Sequence, residues 1–335
     1  MNDTDDRKLI TIMTPCYNEA ENVKPLFQSV ARIMAEQLPE YRWEHLFIDN
    51  CSTDHTVDIL KGMAADDPRI KIIVNARNFG HIRSPYYGLL QSRGDAVISM
   101  AADFQEPPDM IPRFVRKWEE GNKVVVAVKK TSKENRILYG IRSLYYKFVR
   151  SISDVELIDN YTGFGLYDQR IIEEMRKLDD PYPYIRGLIC EIGFKHTTIE
   201  FDQPKRIRGI TKNNFYTLYD MAMLGITSHS KLPLRLATMV GFILSALSLL
   251  VAVVYLILKL VMWQNMPMGT APILIGVFFF SAVQLFFIGI LGEYILIILT
   301  QVQHRPLVVE AERVNFPPDH STVQDPETEH YHGDT

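Results

Sequence analysis

Apolar positions along this chain change period in a regular order. Leu9 to Thr14 is a short, β-branched apolar run, broken by Pro15-Cys16-Tyr17-Asn18-Glu19. Between Glu21 and Leu38 the apolar residues Val23, Leu26, Phe27, Val30, Ile33 and Met34 then recur on one face at helical spacing. The order repeats. Glu44 to Ile48 reads as a strand, Asp49-Asn50-Cys51-Ser52-Thr53-Asp54 as a polar turn, and Val57, Leu60 and Met63 as one face of a helix. Ile70 to Val74 leads through Asn75-Ala76-Arg77-Asn78-Phe79-Gly80 into a helix ending near Gly94, Asp95 to Ala101 forms a fourth strand, and Lys123 to Val128 a fifth. Strands alternating with amphipathic helices at this pitch predict an α/β domain, a mostly parallel sheet flanked by helices.

On a parallel sheet the turns after the strands open on one edge, where α/β proteins bind ligands. Four of them carry polar groups in register: Glu19; Asp49 with Asn50; Arg77 with Asn78; and Asp103 with Gln105. Together they describe a pocket for a polar, phosphorylated ligand. Asp103 and Gln105 follow the strand in Ala96 to Asp109, AVISMAADFQEPPD, and if extended geometry persists both face one way and share a cation. Neither GxGxxG after the first strand nor GxxxxGK[ST] is present, which disfavours the usual dinucleotide fold and removes the P-loop nucleotidases.

The apolar content is concentrated late in the chain. Leu236 to Leu258 and Thr270 to Gly292 are uncharged throughout, each longer than the ~20 residues that span a bilayer core. The connector, Met262 to Gly269, has no basic residue, whereas Lys231 and Arg235 precede the first run and Arg305 follows the second. A transmembrane hairpin with both ends in the cytoplasm is therefore expected. The divisions read as 1–212 for a cytoplasmic domain, 213–232 for juxtamembrane amphipathic helices, 233–303 for the hairpin, and 304–335 for a cytoplasmic tail, disordered beyond Pro317. Ile137 to Ile152 is amphipathic and basic, either a packing helix or one lying on anionic lipid. A net charge of −4 without a dense basic stripe argues against nucleic acid. Three cysteines without CxxC spacing support neither a disulfide framework nor zinc, and the acidic N-terminus shows no signal peptide.

Pro15 to Glu19, Asp49 to Asp54, Arg77 to Gly80 and Ala101 to Pro108 resemble the successive signatures of the family 2 glycosyltransferases, and most of all their polyprenyl-phosphate hexose synthases. That resemblance implies a GT-A fold, a nucleotide-sugar donor, usually a UDP- or GDP-sugar, and a divalent cation, Mg²⁺ or Mn²⁺, on its diphosphate. By position it implies Pro15, Tyr17, Glu19, Asp49, Asn50, Arg77 and Asn78 around the donor, and Asp103 with Gln105 at the metal. The family often writes its metal motif Asp-x-Asp; here the first place is Ala101. Many relatives carry Asp where this chain has Asn50, whose amide oxygen can still accept a hydrogen bond from a base N–H. Asp159 to Asp168 resembles the acceptor-side segment, with Gly163 where relatives place an Asp and Asp159 the nearest carboxylate. Lys205 to Lys212 resembles the phosphate-clamping loop of the polyprenyl-phosphate branch, which implies catalytic roles for Arg206, Arg208 and Lys212. The expected activity is inverting, metal-dependent transfer of a hexose to a membrane polyprenyl phosphate at the cytoplasmic membrane, with homo-oligomerisation left open. The alternatives are a processive polysaccharide synthase, whose Gln-x-x-Arg-Trp motif is missing here, and a non-catalytic nucleotide-sugar-binding membrane protein.

Overall fold

A computed structural model describes residues 6–130, 158, 160–178, 180, 183–204, 232–261, 270–303 and 305–317. Strands β1 (Leu9–Cys16), β2 (Arg42–Asp49), β3 (Ile70–Asn75) and β4 (Ala96–Ser99) alternate with helices α1 (Val23–Gln37), α2 (Thr56–Asp66) and α3 (Gly80–Gln91). A 3₁₀ turn, Pro108–Met110, leads into α4 (Ile111–Glu119), followed by β5 (Val124–Lys129), β6 (Tyr161–Asp168), α5 (Gln169–Leu178), α6 (Ile185–Glu191) and β7 (His196–Phe201). Two long helices, α7 (Leu232–Val261) and α8 (Thr270–Val302), precede β8 (Glu310–Val314).

The eight strands among the described residues form one sheet in the order β7-β5-β6-β4-β1-β2-β3-β8. β6 and β8 run against the other six, so the sheet is mostly parallel. Its strands are apolar on both sides because helices cover both faces. Ala96 and Ile98 join Ile10, Ile12 and the α1 residues Leu26, Val30 and Ile33 in one core layer. Val97 points the other way, into a layer with Met13, Ile48, Tyr86, Leu89 and Ile171. The period of two along β4 thus links two cores, and the period of 3.6 along α1 fills one of them. Gly165 lets β6 lie against β5, since a Cβ there would sit 2.5 Å from the Val125 carbonyl oxygen.

His45 is buried in the sheet, its ring stacked 4.0 Å from that of Phe47 and its Nε2 2.9 Å from Thr14 Oγ1. Nδ1 has no partner among the described residues. Burial lowers the pKa from 6.5 to about 3, so the fold holds the neutral ring. The unfolded chain takes up this proton near pH 6.5, and the stability held above that pH is lost as pH falls toward 3, by about 1.4 kcal/mol per unit. His45→Phe should flatten the fall in unfolding free energy between pH 6.5 and 4. An unchanged slope would assign the acid sensitivity elsewhere.

The sequence reading placed residues 304–335 in a tail, but Glu310–Val314 is an edge strand antiparallel to β3. Residues flanking it anchor it: Ala76 N donates to Val309 O at 2.9 Å, and Asn315 Nδ2 donates to Ala64 O and Ile70 O at 2.8 and 2.9 Å. Tyr87 donates to Glu310 at 2.7 Å, and Leu307 and Phe316 pack on the core.

α7 and α8 contain 30 and 33 residues, and their apolar side chains are largely uncovered, Phe242 at 77% and Phe286 at 67%. Among the described residues, Phe279–Val302 is long and apolar enough to cross a membrane, while the apolar stretch in α7, Leu236–Ser248, is shorter than a span. The hairpin of two spans expected from the sequence therefore has one such helix here. The connector 262–269, the segment 137–152 and the juxtamembrane stretch 213–231 lie outside the described residues.

Candidate active site at the carboxyl edge of the sheet

The carboxyl ends of β1, β2, β3 and β4 bring the four polar turns onto one edge, as the strand order requires. Main-chain geometry in these turns departs from extended. Asn18, Cys51 and Phe104 have positive φ (58°, 63° and 59°), costly for Phe104, whose ring allows no local compensation.

The first two turns are stitched together. Asn18 N donates to Ser52 Oγ at 2.8 Å, Thr53 N donates to Asn18 Oδ1 at 2.8 Å, and Glu19 N donates to Thr56 Oγ1 at 2.9 Å. Pro15, Tyr17 and Glu19 are partly exposed on this edge, and Glu19 accepts from Asn22 Nδ2 at 2.6 Å. Asp49 is fully buried and caps its own turn, accepting from Ser52 N at 2.8 Å and from the Ser52 hydroxyl. Burial pushes its carboxyl upward against the Ser52 hydrogen bonds.

Asn50, expected to read a base with its amide, is hydrogen-bonded within the protein. Its oxygen accepts from Phe79 N at 2.8 Å and Asn75 Nδ2 at 3.1 Å, while its nitrogen donates to Asn78 Oδ1 at 3.0 Å and Gly80 O at 3.2 Å. Both acceptor and both donor capacities of the amide are engaged within the protein, so Asn50 shapes the turn after β3. That turn presents Arg77 and Asn78, both exposed, with the Arg77 guanidinium over the Phe79 ring at 4.0 Å.

After β4 the chain coils tightly rather than staying extended, so the two-residue spacing of Asp103 and Gln105 does not by itself put both side chains on one side. Asp103 is 6% exposed and accepts from Gln105 N at 3.1 Å, an Asx turn. Glu106 is tied back to the turn and to β6: it accepts from Ala101 N at 2.7 Å and from Thr162 Oγ1 on β6 at 3.0 Å. Burial raises its carboxyl to about 7, opposed by those two hydrogen bonds and reinforced by Asp103. The strand-turn pattern did not single out Glu106; its spacing within QEPP carried no signal.

Among the described residues no group of three or more His, Cys, Asp or Glu could hold a metal. The turn therefore fits a divalent cation only as part of a shared shell. Mg²⁺ or Mn²⁺ accepts one carboxylate and an amide when substrate phosphates and water complete it, a set that Asp103 with Gln105 would supply. Gly163 has φ of 105° and open space around its missing Cβ, so glycine serves the backbone conformation there, not a close approach. Asp159, Arg206, Arg208 and Lys212 lie outside the described residues.

Residues 11–176 match the family model described as Glycosyl transferase family 2. Three relatives align over most of the chain. YkcC, an uncharacterized glycosyltransferase of Bacillus subtilis (strain 168), is 32% identical over 300 residues, covering 89% of this chain and 92% of its own. The bactoprenol glucosyl transferase of Shigella phage SfX is 32% identical over 298 residues, covering 89% and 97%. A prophage bactoprenol glucosyl transferase homolog of Escherichia coli (strain K12) is 30% identical over 298 residues, covering 89% and 96%. Among solved structures, glucosyl-3-phosphoglycerate synthase from Mycobacterium tuberculosis superposes with a TM-score of 0.43 at 14% identity, covering 66% of this chain and 76% of that one.

Proposed function

This chain belongs to glycosyl transferase family 2, and from that membership we propose that it moves a hexose from a nucleotide-sugar, a UDP-sugar by preference, to a membrane polyprenyl phosphate. The products are polyprenyl-phosphate-sugar and nucleoside diphosphate. The names of the relatives from the phage and from Escherichia coli support a bactoprenol acceptor.

The observation that carries this reading is the direction of β8. Because β8 is antiparallel to β3, Glu310 lies opposite Asn75, at the carboxyl edge where the polar turns gather. The stretch from Val302 at the end of α8 to Glu310 reaches at most ~28 Å when extended. α8 thus delivers the bilayer to the catalytic edge of the sheet, not to its far side. A lipid-borne phosphate then meets a nucleotide-sugar seated on the turns. The same return supports an even number of crossings on this reading, since β7 and β8 share one sheet. With α8 as one crossing, α7, about 45 Å long at 1.5 Å per residue, is proposed as the other, although its apolar stretch Leu236–Ser248 is shorter than a span. The reading places the catalytic domain on the cytoplasmic face of the inner membrane.

Chemically, the donor's diphosphate leaves with growing negative charge, and the acceptor attacks the anomeric carbon in line, which inverts it. Asp103 and Gln105 would hold the Mg²⁺ or Mn²⁺ that neutralises the leaving diphosphate when bound. Arg77 offers a guanidinium at the donor turn, and Arg206, Arg208 and Lys212 are proposed as the clamp that tightens on the departing diphosphate. A phosphate monoester has a second pKa near 6 and attacks as a dianion, so a strong base is dispensable where Gly163 stands. Asp159 is then a positioning group.

The test is nucleoside diphosphate release by the purified full chain. Release from a UDP- or GDP-hexose should require added polyprenyl phosphate and divalent cation. Release that ignores the lipid, or none with any donor, contradicts the reading.

A further inference from the structure

Beside the metal turn lies a cavity of about 200 Å³ lined by Pro15, Ala101, Glu106, Gly163, Tyr184 and Arg186 among others. It is smaller than the ~300 Å³ of typical small-molecule sites, so it admits a phosphate or sugar ring rather than a whole nucleotide-sugar. Arg186 is the cation on its wall. Its guanidinium makes no hydrogen bond or ion pair with any described residue, although it reaches the buried Tyr161 and Tyr167 phenols electrostatically. Glu106 lines the same cavity, yet both its oxygens are engaged by Ala101 N and Thr162 Oγ1 and no ion pair joins it to Arg186. A guanidinium and a carboxylate that share a small cavity without pairing leave room for a ligand between them. Five N–H donors without a partner among the described residues call for an anion with several acceptor oxygens.

We propose that Arg186 binds the phosphate of the polyprenyl acceptor and seats it in this cavity. This rests on the lipid-phosphate reading above. Two placements select the acceptor over the donor diphosphate. Arg186 shares the cavity wall with Thr162 and Gly163 of β6, and of the residues assigned to the donor Pro15 alone lines it. Just upstream in the chain, Asp180 Oδ1 accepts from Gln301 Nε2 at 3.1 Å, in the last turn of α8. The segment carrying Arg186 therefore adjoins the end of the membrane helix, the side from which a lipid headgroup arrives.

The experiment uses the full chain in detergent micelles with undecaprenyl phosphate as acceptor, comparing wild type, Arg186→Met and Arg186→Lys. Losing a charge-assisted contact to phosphate should raise the KM for the lipid roughly ten- to a hundredfold in Arg186→Met. The Kd for the nucleoside diphosphate should change less than twofold, which also reports that the variant is folded. Arg186→Lys should recover part of the loss. A rise confined to donor KM or nucleotide Kd would assign Arg186 to the diphosphate and overturn the proposal, as would unchanged KM for the lipid in both variants. Failure here with normal wild-type transfer sinks only the Arg186 assignment; absence of wild-type transfer to the lipid sinks the reading beneath it.

Discussion

Asp103→Asn should lower transfer by at least ~10²-fold and weaken nucleotide-sugar binding only when Mg²⁺ or Mn²⁺ is present. With Ala101 in the first place of the motif and Glu106 engaged by Ala101 N and Thr162, Asp103 is the carboxylate proposed here as the metal ligand. The substitution is nearly isosteric, and the Asx turn survives because an amide oxygen can still accept from Gln105 N. Loss of charge, not of shape, is then what the assay reads. Binding measured by calorimetry in EDTA should be the same for both proteins, and the gap should open as Mn²⁺ is titrated in. Near-normal turnover with ordinary metal dependence would remove Asp103 from the metal site.

Ending the chain after Gln303 should abolish a stable catalytic domain, whereas ending it after Pro317 should leave stability and nucleotide binding intact. The shorter truncation removes Leu307, Val308, Val314 and Phe316 from the core, at roughly 1.5–3 kcal/mol for each side chain that is well buried. It also strips the partners of Ala76 N and of the Ala64 and Ile70 carbonyls and turns β3 into a bare edge. These losses are comparable with the ~5–15 kcal/mol that holds a domain folded. Thermal unfolding of the two truncations in detergent reads the difference directly. Similar midpoints would mean that β8 decorates the sheet without supporting it.

Both results bear on what the sequence makes legible. β1 to β5 announce themselves because each is an apolar run bounded by polar turns, and α1 because five buried residues repeat on one face. β8, Glu-Ala-Glu-Arg-Val, has three charged residues in five and no run at all. It is a strand because β3 offers it a ladder and because its charges lie on a half-exposed edge, information held by the partner and not by the segment. β6 hides similarly, with Gly163 and Gly165 breaking its apolar pattern. In the site, the motif positions were readable but their roles were not uniformly so. Asp49 and Asn50 stand where a ligand contact is expected, yet one caps its turn and the other spends its amide on the Arg77 turn. Spacing shows which residues reach the edge; only the hydrogen-bond inventory shows which still have capacity for a ligand. Arg186 gave no signal of its own, being a single arginine on the short helix α6.

The most direct measurement follows the sugar. Membranes containing the full chain, incubated with radiolabelled UDP- or GDP-hexose, Mn²⁺ and undecaprenyl phosphate, should place label in the organic extract as a monosaccharide on a polyprenyl phosphate, of anomeric configuration opposite to the donor's, and the Asp103→Asn membranes should not. Label found in a water-soluble polymer, on the protein itself, or with the donor's configuration retained would contradict the account.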